Sequence, residues 1–215
     1  MKKLIIPAIL SSTFEDYSQK IKAVEGLVER VQIDVMDNRF VPNKTIPFDS
    51  LAAVKSGVYK EAHMMVDAPC AYIPAAQRLG VGTYIFHVEA CSSPKLVYDI
   101  IERIRQYKMQ PSIAINPRTP LKAILPYLSQ LEHVLVMTVV PGFGGQSFIP
   151  SALRKVQAIR KRFPSINIEV DGGINADTLP KANKAGANYF VMGNAIYKQP
   201  DIGKAVADYR RLVKE

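Results

Sequence analysis

Glycine-rich segments with an acidic neighbour are the part of this sequence best suited to binding and catalysis. Residues 139–148 read VVPGFGGQSF, and residues 169–174 read EVDGGI. Glycine has no Cβ to cover the backbone N–H groups, so a phosphate oxygen can approach the main chain closely. Asp171 stands directly before the second glycine pair. This combination predicts an enzyme that holds a phosphorylated substrate at one end and acts chemically on the other.

A further glycine, Gly193, follows the last apolar run and precedes Asn194. Taken alone, the loop at 142–145 is as consistent with a tight turn as with a phosphate site. Three such segments, each placed after a predicted strand, favour the phosphate site. The substrate-contacting residues predicted in these segments are Gly142, Phe143, Gly144, Gly145, Gly172, Gly173, Gly193 and Asn194.

Acidic, amide and imidazole side chains lie on other predicted strands. Because side chains alternate along a strand, Gln32 and Asp34 share one face while Ile33 points the other way. His63 repeats this arrangement on the next strand candidate, and Asp171 adds a second carboxylate from the seventh. Two carboxylates and an imidazole are ligand types of a divalent-metal site, and they also place two proton carriers around one pocket.

The elements that position these residues alternate along the chain. The strand candidates are 4–10, 31–36, 61–66, 84–88, 112–115, 134–138, 166–170 and 189–192, and the helix candidates are 14–27, 48–56, 70–79, 94–107, 120–130, 150–163, 176–185 and 201–213. Eight alternations without a break predict one α/β domain over residues 1–215, a closed (β/α)₈ TIM barrel rather than an open doubly wound sheet. Catalytic residues of such barrels lie at the carboxyl ends of the strands.

Basic residues give the chain a formal net charge of +9, and the densest basic run, 154–162, falls on a predicted helix. No nucleic-acid-binding motif accompanies that run, so we expect solvated helix faces and no nucleic-acid partner. A positive field also speeds the capture of an anionic sugar phosphate. We therefore expect a small-molecule sugar phosphate as the partner.

The apolar run at 4–10 is short and contains Pro7. It is therefore predicted to be a buried first strand rather than a signal peptide or a membrane span, and no membrane partner is expected. The cysteines, Cys70 and Cys91, are too few for a disulfide framework and lack the spacing of metal ligands. We expect reduced thiols and a cytoplasmic location.

Several motifs in the same order resemble the ribulose-phosphate 3-epimerase family. They read PAILS at 7–11, QIDVMD at 32–37, FVPN at 40–43, HMMV at 63–66, FHVEA at 86–90, the loop at 138–149, and VDGGI at 170–174. The match runs over nearly the whole chain. It implies an isomerase of carbohydrate metabolism in the pentose phosphate pathway, which interconverts D-ribulose 5-phosphate and D-xylulose 5-phosphate by two-base proton transfer through a metal-stabilised enediolate.

The resemblance also implies roles for individual residues. The residue matching Asp34 is the proton acceptor and the one matching Asp171 is the donor, and both bind a divalent cation together with His63. Zinc, manganese, iron or magnesium would serve as that cation. Methionines matching Met36, Met65 and Met137 form an apolar collar over the enediolate. The family includes dimers and hexamers, so self-association as a homo-oligomer is expected.

Four positions depart from the family pattern. Gln32 stands where the family has a fourth metal ligand, a histidine; Ala8 stands where it usually has a substrate-binding serine. Asn38 replaces a glycine at a loop position that asparagine tolerates comparatively well, and Asn194 replaces a serine. A glutamine oxygen is a weaker zinc ligand than imidazole and suits harder cations, so metal affinity is expected to fall.

These departures leave alternatives open. One is a related epimerase acting on a longer ketose phosphate such as allulose 6-phosphate. Another is a non-catalytic sugar-phosphate-binding relative that lost turnover when Gln32 and Ala8 appeared. A third is a different reaction on a phosphate-binding barrel, such as a decarboxylase or a lyase, although no lysine is well placed at a strand end for that chemistry.

Other polar residues have simpler predicted roles. His87 lies on the fourth strand candidate and is predicted to be a hydrogen-bonded core histidine rather than a metal ligand. His133 precedes its strand and is expected at the opposite rim, which serves stability. Asp37 and Asn43 flank the loop after the second strand and are predicted to form turns.

Overall fold

Parallel strands form a closed barrel in the structure, a computed structural model that describes residues 1–214. Within those residues, eight strands pair in chain order and the last pairs with the first. The strands are β1 (Leu4–Ile9), β2 (Arg30–Met36), β3 (Tyr59–Met65), β4 (Val81–His87), β5 (Gln110–Ile115), β6 (His133–Met137), β7 (Asn167–Asp171) and β8 (Tyr189–Met192). The predicted TIM barrel is therefore confirmed, and the apolar run at the start of the chain is its first strand.

Helices cover the outside of the barrel. They are α1 (Phe14–Val24), α2 (Ile73–Arg78), α3 (Pro94–Gln106), α4 (Leu153–Arg162), α5 (Leu179–Ala185), α6 (Asn194–Tyr197) and α7 (Ile202–Leu212). The longest is α3, where the Ser93 hydroxyl accepts the Leu96 N–H and Pro94 occupies the first turn. Its buried stripe packs on the strands and consists of Val97, Ile100, Ile101 and Ile104.

Two predicted helices are wrong. The segment 120–130 forms only short 3₁₀ helices at Leu121–Ala123 and Leu128–Gln130. Pro126 lacks the N–H that a helix would direct at residue 122, and its ring clashes with the preceding turn. The segment 48–56 forms a 3₁₀ helix at Phe48–Ala53, in which the Ser50 hydroxyl donates to the Pro47 carbonyl. The short helix α6, by contrast, was not predicted.

Side-chain alternation divides the barrel into an outer and an inner layer. Ile33 and Val35 pack outward into the core shared with the helices, whereas Gln32 and Asp34 lie on the inner face. Parallel pairing aligns Asp34 with His63 and Met137 with Asp171. The register therefore places the predicted chemical residues around one end of the barrel.

None of the helices in residues 1–214 combines the length and the apolar character required to cross a lipid bilayer.

Candidate active site

Asp34, His63 and Asp171 meet inside the barrel. Nδ1 of His63 lies 3.1 Å from Oδ1 of Asp34 and 3.4 Å from Oδ2 of Asp171. One potential ligand atom from each of the three lies within 4.8 Å of the others. His63 is fully buried and Asp34 nearly so, while Asp171 is partly open to the cavity above. The three side chains therefore form a candidate group for holding a metal ion.

Gln32 lies directly beneath the two carboxylates. Its Nε2 atom donates to Oδ1 of Asp34 at 2.9 Å and to Oδ2 of Asp171 at 2.8 Å. Its Oε1 atom is buried and has no hydrogen-bond partner among residues 1–214. In this orientation the amide bridges the two acids as a donor, and the oxygen that would bind a cation points away from them.

Charges in this cluster are strongly coupled. Burial works against a charge on His63, but hydrogen bonds and charge interactions with Asp171 and Asp34 raise the pKa of its imidazole to about 10. Burial is the largest cause of the raised pKa of Asp34, and the nearby Asp171 adds to it. The two acids and the imidazole therefore influence one another's protonation.

A cavity of about 500 Å³ opens above this cluster. Asp34 and Asp171 line it, whereas Gln32 and His63 lie below its floor. The predicted substrate-contacting residues that line it are Met36, Met65, Met137, Gly142, Phe143, Gly144, Gly145, Gly172, Gly173, Gly193 and Asn194. A volume of this order is typical of a pocket for a small molecule.

The methionines surround the acids with apolar surface. Met36 and Met65 pack with Val41 in one cluster, and Met137 belongs to another on the opposite strands. Each of the three is almost fully buried and still lines the cavity. A small molecule in this cavity would therefore meet thioether groups beside the two acids, and thioether groups exclude water.

Hydrogen bonds hold the glycine loops at the cavity rim. The Thr138 hydroxyl donates to the carbonyls of Asp171 and Gly172 at 2.9 and 2.6 Å, which ties the loop base to the end of β7. The Gln146 amide donates to Val140 and Phe143, and the Asn43 amide donates to Gly142. The loop is thus positioned by its own side chains and by the β2 loop.

Gly173 is required by both conformation and space. Its φ is +66°, and a Cβ at this position would lie 2.8 Å from the backbone nitrogen of Phe148. No other residue type fits there without displacing the main chain of the neighbouring loop. The position therefore keeps two glycine segments in close contact.

Some cavity residues were not predicted from the sequence. The basic residues Lys20 and Lys198 line the cavity, as does Tyr197. Lys20 reaches it from α1, where its Nζ donates to the carbonyl of Leu10 and to Asp16. No motif marks these side chains, because only the packing of α1 and α6 over the barrel end brings them to the cavity.

The simpler predictions for loop residues are confirmed. Asn38 adopts φ +60°, the left-handed conformation expected where the family has glycine. Asp37 accepts the backbone N–H groups of Arg39 and Phe40, and Asn43 accepts that of Lys44. Both side chains therefore form turns, and Asn43 also anchors the glycine loop.

The remaining histidines are buried at the positions in the barrel that the sequence predicts. His87 is fully buried on β4 and lies within hydrogen-bonding distance of His63 and Glu89. His133 begins β6 at the far end of the barrel, where its Nε2 lies 3.3 Å from Oε2 of Glu169. Ala8, opposite Gln32 in the β1–β2 register, lines the cavity with a methyl group.

Comparison with known proteins agrees with this geometry. Residues 4–197 match the model of the ribulose-phosphate 3 epimerase family. The ribulose-phosphate 3-epimerase of Bacillus subtilis (strain 168) is 39% identical over 214 residues, covering 96% of this chain and 97% of the relative. The cytoplasmic isoform of Oryza sativa subsp. japonica is 35% identical over 216 residues, covering 98% and 94%.

Solved structures with low identity share the fold. A crystal structure of KGPDC from Streptococcus mutans has a TM-score of 0.75 at 12% identity, covering 99% of this chain and 97% of that one. A 3-hexulose-6-phosphate synthase has a TM-score of 0.74 at 17% identity, covering 97% and 99%. At these identities the similarity supports the barrel fold alone.

Proposed function

Because this chain belongs to the ribulose-phosphate 3-epimerase family, we propose that it interconverts D-ribulose 5-phosphate and D-xylulose 5-phosphate by moving the proton at C3. The Bacillus and rice relatives are named ribulose-phosphate 3-epimerases and align with almost the whole chain. This similarity favours the pentose phosphate over a longer ketose phosphate.

One observation carries the proposed chemistry: the carboxylates of Asp34 and Asp171 approach the same Gln32 nitrogen, at 2.9 and 2.8 Å, and both line the cavity. Epimerisation beside a ketone needs a base on one face of the carbon and an acid on the other. Asp34 removes the C3 proton of ribulose 5-phosphate, and Asp171 returns a proton on the opposite face. The product then has inverted configuration at C3.

The residues present fit a divalent cation. His63, Asp34 and Asp171 offer the donor atoms, and the unpartnered Oε1 of Gln32 would face them if the amide turned over. A neutral amide oxygen favours manganese or magnesium over zinc. When bound, the cation supplies positive charge beside the enediolate oxygens.

The rest of the cavity suits the remaining parts of the substrate. The thioethers of Met36, Met65 and Met137 shield the reacting carbon from water. Backbone N–H groups of the glycine segments bind the phosphate, and Lys20 and Lys198 add positive charge to the same cavity. The ketose is thereby held at its anionic end while C3 lies between the acids.

A substrate comparison tests this proposal. Protein stripped of metal and reloaded with manganese, iron or zinc is given ribulose 5-phosphate or allulose 6-phosphate, and the epimeric product is quantified. We expect a higher kcat/KM with ribulose 5-phosphate. A preference for allulose 6-phosphate would contradict the assigned substrate, and absence of turnover with every metal would instead support a sugar-phosphate-binding protein.

The proposal also includes a cytoplasmic location and self-association. Cys70 and Cys91 are free thiols, as expected in a reducing compartment, and the rice relative is named a cytoplasmic isoform. Light scattering on the purified protein tests self-association, since a monomer at micromolar concentration would contradict it.

A further inference from the structure

Both ring nitrogens of His63 have neighbours. Nδ1 faces the two acids, while Nε2 lies 2.9 Å from Nε2 of His87. Nδ1 of His87 lies in turn 3.2 Å from Oε2 of Glu89. His63 and His87 are fully buried, so water does not compete for these contacts. A continuous chain of side chains therefore runs from the candidate metal centre to the loop after β4.

The proton positions in this series of side chains follow from the charge on Glu89. Oε1 of Glu89 accepts the backbone N–H of Asn116 at 2.8 Å. Burial raises the pKa of Glu89, but hydrogen bonds from His87, Thr119 and Asn116 outweigh burial and lower it below its usual value. Glu89 is thus an ionised carboxylate with no proton to donate. Nδ1 of His87 must carry the proton that lies between them.

His87 in turn fixes the proton between the two histidines. The Nε2 atoms of the two buried rings are 2.9 Å apart, so one proton lies between them and one of the two atoms must accept it. A neutral imidazole protonated at Nδ1 has a lone pair at Nε2. This lone pair accepts the proton on Nε2 of His63. Nδ1 is then the nitrogen of His63 that is left to bind a cation beside Asp34 and Asp171.

We propose that His87 and Glu89 are positioning residues that fix the tautomer of His63, so that Nδ1 offers its lone pair to the cation. The inference deepens the proposed function, because the cation is the one assigned to the epimerase reaction. It extends the carboxylate–histidine–metal arrangement, in which a carboxylate orients a ligand, by one additional imidazole. Neither His87 nor Glu89 belongs to the three-residue metal group.

Glu89→Gln tests the proton assignment with almost no change in size. Glu89 accepts two N–H groups, one from His87 and one from Asn116. A glutamine has one acceptor oxygen, so it satisfies only one of them. With its oxygen kept on Asn116, its NH₂ group faces His87 and forces the proton of that ring to Nε2. His63 then has to present Nε2 as an acceptor and carry its proton on Nδ1.

Imidazole tautomers can be read directly, because the chain has only three histidines. In metal-free, ¹⁵N-histidine-labelled protein at pH 8, we expect NMR to show His87 protonated at Nδ1. In Glu89→Gln the proton should move to Nε2, whereas Glu102→Gln, the same change on the exposed face of α3, should leave it in place. A parent His87 protonated at Nε2 would overturn the inference.

Zinc affinity provides the second readout. Titration calorimetry with zinc alone should show affinity about tenfold weaker in Glu89→Gln than in the parent, and unchanged in Glu102→Gln. Equal affinities in the parent and Glu89→Gln would contradict the positioning role. If the parent binds no zinc, manganese or iron, the proposed metal site fails, and the His87 tautomer in metal-free protein still decides the inference.

Substitutions at residue 87 separate positioning from packing. His87 contacts the ring of Phe40 at 4.9 Å between centroids, so its ring also fills space. His87→Gln keeps an acceptor for His63 and a donor for Glu89, and it should bind zinc within a few-fold of the parent. His87→Phe keeps an aromatic ring but has no hydrogen-bonding groups, so its zinc affinity should be weaker by about tenfold or more. The opposite ranking would show that packing alone matters.

Discussion

The side-chain nitrogen of Gln32 lies 2.8 Å from Oδ2 of Asp171, and the same atom also donates to Asp34. The two acids that the proposed reaction requires are therefore joined by one neutral amide group. A donor at this point offsets part of the repulsion between the carboxylates. It does so with the end of the amide that cannot bind a metal.

Residue 32 should control which metal the site prefers. Gln32→His places an imidazole beside the acids and should raise zinc affinity by about tenfold or more, because imidazole is the better zinc ligand. Competition with a chelator measures the change. Gln32→Met, which keeps the side-chain length without the amide, is the control and should not gain zinc affinity. An unchanged affinity in Gln32→His would remove residue 32 from the site.

The contact between the glycine loops should govern substrate binding. Gly173→Ala introduces a Cβ 2.8 Å from the Phe148 nitrogen at φ +66°, and we expect the KM for ribulose 5-phosphate to rise about tenfold with a loss of about 1–2 kcal/mol in unfolding free energy. Gly57→Ala is the matched control, since a Cβ there meets nothing within 4 Å. Equal KM values in the two variants would contradict the role of Gly173.

Stability at low pH should depend on His133. Burial lowers its pKa to about 4, whereas an unfolded chain titrates near 6.5. Between these two pKa values the unfolded state binds a proton on His133 that the folded state does not bind. The folded state therefore loses stability as pH falls from about 6.5 to about 4. His133→Phe keeps a ring beside Tyr189 and removes the titration.

Urea unfolding of both proteins across this pH range measures the effect. Between pH 6.5 and 4 the parent should lose on the order of 3 kcal/mol relative to His133→Phe. The comparison cancels most of the opposite contribution from the neighbouring Glu61 and Glu169, whose pKa values are raised by burial, while Arg30 stays protonated throughout this range. A stability difference that does not vary with pH would contradict the assignment.

Most of the barrel was predictable, because strand periodicity depends on local alternation. The strands appear within a few residues of their expected bounds. The errors occurred where apolar spacing imitated a helix: Leu121, Ile124, Leu125 and Leu128 have helical spacing, but Pro126 prevents the helix. The spacing of apolar residues predicts which residues are buried, but a proline within the segment can still prevent the backbone from forming a helix.

Only the part of the candidate site that depends on side-chain alternation along the strands was predictable. That alternation predicts that Asp34, His63 and Asp171 face the barrel interior. The direction of the Gln32 amide depends on carboxylates from two strands, and the contact between His63 and His87 depends on the register of β3 and β4. Three-dimensional contacts between elements distant in sequence therefore set the finer chemistry of this site.

Proton exchange at C3 in Asp171→Asn tests the two-acid reaction most directly. In deuterium oxide, with the cation present, Asp34 still removes the C3 proton of ribulose 5-phosphate, but no acid remains on the other face. We predict that ribulose 5-phosphate gains deuterium at C3 while almost no xylulose 5-phosphate forms. Formation of xylulose 5-phosphate at the parent rate in Asp171→Asn would contradict the account.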